Sequence, residues 1–131
     1  ALEGLTKTYR CVLIDSPAGL EHSNRRIASK VDAIFDIIDP SRKSFNHVER
    51  AYKIAKKVKI EFRNFYVVGG YRFPEGLEAE VEKRTKLKYL GKIAYDKEVE
   101  NCVLSGKSLL KLPSSSPAYN SVKELMKKVA Y

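Results

Sequence analysis

The chain has 131 residues and a net charge of +9, with 44% apolar and 31% charged residues. This length suits one domain, so we expect residues 1–131 to fold as a single unit. The composition is that of a globular protein rather than a disordered tail, and no apolar run reaches the ~20 residues that a membrane-spanning helix needs. No secretory signal peptide opens the sequence. The cysteine usage described next favours a reducing, cytoplasmic location.

The two cysteines, Cys11 and Cys102, are too few for a disulfide framework and belong to no CxxC or CxC pair. We therefore expect no metal site within one chain. Cys11 lies in an apolar run, where a small buried hydrophobic residue is the expected role. Unpaired cysteines agree with a reducing compartment.

Four apolar runs predict strands in chain order, the first and second ending in an acid. They are residues 10–15 (RCVLID), 32–39 (DAIFDIID), 65–70 (FYVVGG) and, more weakly, 88–95 (KYLGKIAY). Helical patterns separate or follow them at residues 23–31, 44–59, 75–86 after Pro74, and 117–131. Strands that alternate with helices predict an α/β, Rossmann-like three-layer sandwich with a mainly parallel sheet covered on both faces.

Ligands of such sheets bind beyond the carboxyl ends of the strands. Asp15, Asp39 and the pair Gly69-Gly70 lie at these ends, so the sequence predicts the functional site there.

Basic residues cluster on two stretches, and their role is open at this point. They are Lys53, Lys56, Lys57, Lys59 and Arg63, then Lys83, Arg84, Lys86 and Lys88. Such a face attracts phosphate groups of nucleotides, nucleic acid or anionic lipid, or is simply a solvated helix surface. The basic C-terminal helix likewise either lies on a membrane surface or covers the sheet.

The stretch CVLIDSPAGLEH, residues 11–22, carries the most specific chemistry. An apolar strand that ends in Asp15 matches the Walker B pattern, in which the carboxylate holds Mg²⁺ through its water shell. The turn that follows contains Pro17 and Gly19, and a glycine allows the backbone to approach a γ-phosphate closely.

These residues resemble the MinD/ParA-type ATPases with a deviant P-loop, and in particular the MinD and the CooC-like or nitrogenase iron protein-like members. The resemblance continues through residues 25–58, through YLGKIAYDKEV at 89–99 and through SGKSLLKLPSSSPAYNSVKEL at 105–125, in the family's order. It implies a P-loop NTPase fold from the Walker B strand onward.

Carried over to this chain, the resemblance makes Asp15 the acid that organises Mg²⁺. The residues that it implies for nucleotide binding are Asp15, Ser16, Pro17, Gly19, Asp39, Pro40, Gly70 and Tyr71. Glu21 and His22 either relay the nucleotide state to a dimer interface or cap a helix.

The chain also departs from the family's pattern. The phosphate-binding loop should precede the Walker B strand, but only ALEGLTKTYR does so, and SGKS at 105–108 lacks the preceding glycine that a phosphate loop needs. The family's Asn-Lys after the third strand is replaced by Gly70-Tyr71, which leaves Tyr71 or Arg72 as candidates to stack on the base. The strand of the missing loop would lie between 10–15 and 32–39, so two apolar strand edges should be exposed.

We therefore expect the C-terminal part of a nucleotide-switched, dimeric ATPase of metal-cofactor maturation or positioning type, inactive alone. The intact parent would use ATP and Mg²⁺, with a second copy or the missing N-terminal half as partner and a metalloprotein as a possible client. The alternatives are a non-enzymatic binding module on the same scaffold, or a basic-face binder of nucleic acid or a membrane surface.

Overall fold

Helices and strands alternate along nearly the whole chain. The computed structural model describes residues 2–16 and 30–129. The elements are α1 (Leu2–Thr8), β1 (Lys30–Ile38), α2 (Arg42–Lys57), β2 (Glu61–Gly69), α3 (Glu78–Thr85), β3 (Lys88–Lys92), α4 (Lys97–Ser105), a 3₁₀ turn (Leu109–Lys111) and α5 (Pro117–Lys127).

The described strands form a parallel sheet in the order β1-β2-β3, with β2 in the centre. Ile38 at the end of β1 pairs with Gly69 at the end of β2, which in turn pairs with Lys92 at the end of β3. All three strands therefore finish at one edge of the sheet, and the predicted parallel arrangement is confirmed.

The helices cover both faces of the sheet. On one face α2 and α3 enclose the larger core, which contains Ile38, Phe45, Val48, Ala51, Phe65, Val67, Phe73, Val81 and Tyr89. On the other face Leu125 of α5 packs with Val68 and Leu90. The three-layer α/β fold is confirmed. Of the two roles predicted for the C-terminal helix, α5 has that of covering the sheet.

The sequence of α2 explains both its position and its ends. The hydroxyl of Ser41 accepts a hydrogen bond from the backbone N–H of Ser44 at 3.1 Å and so caps the first turn. Phe45, Val48 and Ala51 follow at three-residue spacing and are buried against the sheet. Each large apolar side chain buried in this way contributes about 1.5–3 kcal/mol.

The predicted boundaries are less accurate than the elements themselves. α3 begins at Glu78, after an irregular stretch that follows Pro74, and the stretch predicted as a helix at 23–31 ends inside β1, which starts at Lys30. Residues 23–29 lie outside the described part of the chain. Lys30 and Val31 are strand residues because they pair in register with Glu61 and Phe62.

Residues 10–15 are not a buried strand, and that prediction is wrong. They have no regular structure, and Leu13 is 86% exposed. Cys11, expected to be buried, is exposed as well. A strand persists only where a neighbour satisfies its backbone groups, and no described residue pairs with this segment.

The outer edge of β1 carries no partner strand among residues 2–16 and 30–129. Ile37 near the end of β1 is 54% exposed. That a phosphate-loop strand is missing from this edge stays a prediction. In the part of the chain that the structure describes, no helix is long and apolar enough to cross a bilayer.

Candidate functional site at the carboxyl ends of the strands

Asp39 and Pro40 form the turn between β1 and α2. The Asp39 carboxylate accepts a hydrogen bond from the backbone N–H of Ser41 at 2.8 Å, and its own N–H donates to the Ser44 hydroxyl at 3.1 Å. Hydrogen bonds from Ser41 lower the pKa of the Asp39 carboxyl, and the charges of Arg72 and Lys43 act in the same direction. The strand end therefore presents an exposed and firmly ionised carboxylate.

Gly69 and Gly70 end β2 beside this turn. The N–H of Gly70 donates to the carbonyl of Ile38 at 2.8 Å, and the Gly70 carbonyl accepts from Phe73 N at 2.9 Å. A Cβ on Gly69 would lie 2.6 Å from the hydroxyl of Tyr89 and 2.8 Å from Phe73 Cβ. The two glycines thus allow the chain to turn tightly over the core and join the ends of β1 and β2.

Tyr71 and Arg72 follow this turn and project at the same edge. The Tyr71 ring lies against Tyr95, with ring centroids 6.1 Å apart. Arg72 Nε donates to the Tyr71 hydroxyl at 3.0 Å, and the guanidinium carbon lies 5.4 Å from the ring centroid. Lys92 Nζ at the end of β3 donates to the Tyr71 carbonyl at 3.2 Å. Two exposed aromatic rings and two cations therefore converge here.

Tyr95 and Asp96 lie between β3 and α4. The Tyr95 hydroxyl donates to Glu100 at 2.8 Å, and this hydrogen bond raises the pKa of the tyrosine. Asp96 is buried, and its carboxylate accepts from Glu98 N at 2.9 Å, from the Ser116 hydroxyl and from Ala118 N at 3.3 Å. One carboxylate therefore fixes the starts of both α4 and α5, and with them the position of Tyr95.

The predicted site residues divide into two groups. Asp39, Pro40, Gly70 and Tyr71 are brought together at one edge of the sheet, with the Gly70–Ile38 hydrogen bond joining the two strand ends. Asp15 and Ser16 lie on the exposed irregular segment before residue 17. Pro17 and Gly19, with Glu21 and His22, lie outside the described residues. The roles of both groups in nucleotide binding stay predictions.

The strand-end group has the chemistry that a nucleotide needs. Exposed aromatic rings offer a face for a base, and the cations of Arg72 and Lys92 offer donors to acceptor atoms of the base or of phosphate. A magnesium ion with a nucleotide needs only one or two carboxylates, because water and phosphate supply the other ligands. The sequence predicts Asp15 for that role, which stays a prediction. Residues 2–16 and 30–129 hold no cluster of three or more His, Cys, Asp or Glu suited to a metal held by protein alone.

Lys92 and Tyr95 were not predicted as site residues. The predicted parallel sheet could have identified them, since the strand predicted at 88–95 must end on the same side of the sheet as the other strands. The α4 helix was missed too, although Asp96 before it and Gly106 after it, with φ of +66°, are ordinary helix-ending residues.

Comparisons with known proteins agree with this architecture. No protein-family model matches the chain. An uncharacterized ATP-binding protein of Methanocaldococcus jannaschii is 34% identical over 98% of this chain and 51% of its own length. The carbon monoxide dehydrogenase accessory protein CooC of Rhodospirillum rubrum is 27% identical over 87% of this chain and 42% of its own length.

Among solved structures, the MinD cell division protein of Aquifex aeolicus superposes with a TM-score of 0.78 at 17% identity, covering 98% of this chain and 57% of the MinD chain. The chain thus spans about half the length of the relatives that it matches. The agreement of fold and sequence relatives identifies the chain as a relative of the MinD/ParA-type P-loop ATPases, with their fold over the part that it spans.

Proposed function

We propose that the chain is the C-terminal, nucleotide-sensing part of a MinD/CooC-like ATP-binding protein. The convergence of Asp39, Tyr71, Arg72 and Lys92 at the carboxyl ends of the strands carries this proposal. The M. jannaschii relative is named as an ATP-binding protein, and this chain aligns with about half of it.

The proposed division of labour places the base and the phosphates at different residues. Tyr71 and its neighbours lie where the base would rest, and Asp39-Pro40 shape the adjoining turn. Asp15 would hold Mg²⁺ through water, and Ser16, Pro17 and Gly19 would follow the state of the γ-phosphate. The metal ion would neutralise phosphate charge, which is the main requirement of phosphoryl transfer.

The same proposal has this chain inactive when isolated. Phosphoryl transfer depends on a cradle of backbone N–H groups and a lysine that hold the phosphates in place. The sequence of residues 1–131 offers no glycine-lysine loop of the required spacing. A carboxylate at position 15 does not grip the nucleotide without such a loop.

Titration calorimetry with Mg-ATP tests this proposal on the isolated chain and on the intact protein encoded by the full reading frame. We expect binding and slow hydrolysis only in the intact protein, and we expect Asp15→Asn to remove the Mg²⁺ dependence. Asp32→Asn, an exposed carboxylate on β1, is the matched control. Binding without hydrolysis by the intact protein would favour the non-enzymatic binding module, and absence of binding would overturn the nucleotide proposal.

We extend the proposal to a nucleotide-switched dimer in metal-cofactor maturation or positioning. One relative is named a carbon monoxide dehydrogenase accessory protein and a fold neighbour is a cell division protein, which supports this pair of roles. Sedimentation velocity of the intact protein with and without Mg-ATP is the test. A monomer in both conditions would contradict the dimer.

A second candidate function rests on the solvent face of α2. Arg50, Lys53 and Lys57 line a shallow groove there, and none of these three cations has an ion pair among the described residues. Glu49 lines the groove as well, so the cations exceed the acid by two. Ile54 is the one apolar residue lining the groove and is half-buried, so the face lacks the exposed apolar anchors of a membrane-binding helix. Its charge suits the phosphates of duplex nucleic acid better.

Retention on DNA as a function of salt tests this second candidate. Three phosphate contacts predict that the logarithm of the binding constant falls with the logarithm of salt concentration with a slope of about −2.7. Arg50→Gln with Lys53→Gln should reduce the slope, whereas Lys127→Gln, whose partner is Glu124, should not. No retention at low salt removes the candidate.

A further inference from the structure

Arg72 is held in place by its neighbours rather than free to move in solvent. Its Nε donates to the Tyr71 hydroxyl at 3.0 Å, and its guanidinium group lies 5.4 Å from the Tyr71 ring centroid. Tyr71 is fixed in turn, because its ring lies against Tyr95 and its carbonyl accepts from Lys92. Tyr95 is secured by its hydrogen bond to Glu100.

The two terminal nitrogens of Arg72 remain available. Neither makes a hydrogen bond or an ion pair with any residue that the structure describes, and the side chain is exposed. The charge of Arg72 lowers the pKa of the Asp39 carboxyl, but the two side chains form no ion pair among the described residues. The site therefore presents a planar pair of donors at the edge where the strands end.

A pair of donors distinguishes purines at position 6. A 6-oxopurine offers two acceptors side by side, O6 and N7, and a guanidinium group pairs with both. Adenine offers only the N7 acceptor, because its N6 amino group is itself a donor. Adenine is instead matched by a side-chain amide, which has one donor and one acceptor.

We propose that Arg72 sets the base selectivity of the nucleotide site, so that a 6-oxopurine nucleotide is accepted at least as well as ATP. This inference rests on the proposed function, since it concerns the base of the same nucleotide. The tyrosine pair provides stacking that is similar for all bases. Discrimination at position 6 therefore falls to the donors of Arg72.

The test compares ITP with ATP, because the two differ in the purine at position 6, where an oxo group replaces the amino group. Dissociation constants of both are measured for the intact protein, its Arg72→Gln variant and its Tyr71→Phe variant. We expect an ITP-to-ATP affinity ratio of one or more in the wild type. The ratio should fall about 10-fold in Arg72→Gln, which replaces the guanidinium group with an amide.

Tyr71→Phe removes the hydroxyl that holds Nε and should lower the ratio by less. Lys127→Gln on α5, whose ammonium group pairs with Glu124, should leave the ratio unchanged and serves as the control. A wild-type ratio clearly below one, or an unchanged ratio in Arg72→Gln, would overturn the inference while leaving nucleotide binding intact. Equal losses of ATP and ITP affinity in Arg72→Gln would also overturn it, because Arg72 would then contact phosphate. No binding of either nucleotide would overturn the proposed function as well.

Discussion

At the residue scale, the adjacent residues Gly69 and Gly70 differ in how much space a side chain would have. The position of a Cβ on Gly69 is already occupied by the Tyr89 hydroxyl and by Phe73, at 2.6 and 2.8 Å. A Cβ on Gly70 would come no closer than 3.4 Å to the carbonyl of Ile38. The first glycine is therefore required by packing, and the second has room for a methyl group.

We expect Gly69→Ala to lower the free energy of unfolding by about 1–3 kcal/mol, which is typical of inserting one methyl group into a packed core. Gly70→Ala should change it by less than about 1 kcal/mol. Urea denaturation of the two variants measures the difference. Equal effects would show that the contacts at Gly69 relax easily.

Asp36 is a second residue whose environment lowers the stability of the fold. It lies on β1 between Ile34 and Ile38, on the face that packs against α2. Its Oδ2 atom is buried without a hydrogen-bond partner among the described residues. Burial raises the pKa of this carboxyl above its ordinary value of 3.8, although the charge of His47 partly offsets the effect.

Because the native pKa of Asp36 exceeds the unfolded one, folding takes up protons, and this carboxyl lowers stability as pH rises through both values. We expect Asp36→Asn to be more stable than the wild type at pH 7, because the amide removes the partly buried negative charge whose desolvation raises the pKa. The difference should vanish below pH 3.8, where Asp36 is protonated in both states. Thermal unfolding across this pH range measures it, with Asp32→Asn as the exposed control.

At the scale of elements, β1 has one satisfied edge and one open edge. Its backbone pairs with β2 from Lys30 to Ile38, and no other described strand pairs with it. In a parallel strand alternate residues direct their N–H groups to opposite sides. Every second amide of β1 is consequently without a strand partner within the part that the structure describes.

Hydrogen exchange followed by NMR should show this alternation. In the isolated chain we expect fast exchange at every second β1 amide and slow exchange in β2, which is paired on both sides. In the intact protein of our proposal the fast amides of β1 should become protected, because the strand of the proposed phosphate loop would pair there. Uniform protection of β1 in the isolated chain would mean that another segment already occupies the edge.

The starts of α4 and α5 depend on the Asp96 carboxylate. The hydrogen bond from Ser116 lowers the pKa of Asp96, and backbone N–H groups of both helices act in the same direction. This stabilisation is present above the unfolded pKa of 3.8 and is lost as pH falls through the lower native value. Asp96 and Asp36 therefore act on acid stability in opposite directions.

We expect Asp96→Asn and Ser116→Ala each to lower the melting temperature at pH 7 and to show strong coupling in a double-mutant cycle. The loss from Asp96→Asn should shrink in acid, where the wild-type carboxylate is protonated. Ser114→Ala, in the exposed turn before α5, is the matched control for Ser116. Additive effects of the two substitutions would contradict a shared hydrogen bond.

At the scale of the whole molecule, what could be predicted depends on whether a residue's partners lie within the chain. The runs around Phe35, Val67 and Leu90 were predicted as strands because their partners are one another. Residues 10–15 have the same apolar pattern but no described strand beside them, so the strand predicted from that pattern is not formed. Tyr95 and Lys92 join the site through the register of β3, which local sequence does not encode.

The intact protein should differ from the isolated chain in how it responds to ligand. A ligand that binds only the native state stabilises it by about 2.7 kcal/mol at 100 times its dissociation constant. We expect Mg-ATP to raise the melting temperature of the intact protein and to leave that of the isolated chain unchanged. Scanning calorimetry at several nucleotide concentrations measures both. An equal shift in the two would place the phosphate contacts within residues 1–131.

The Asp96–Ser116 hydrogen bond also closes a loop at its base. The hydrogen bond joins the two ends of the segment from Asp96 to Ser116, which contains α4 and the stretch from Gly106 to Ser115. The side chains of that stretch are nearly all exposed. The entropy of closing a loop rises only slowly with length. A peptide tag or a fluorescent reporter inserted next to Leu110, which is 97% exposed, should therefore leave the fold intact.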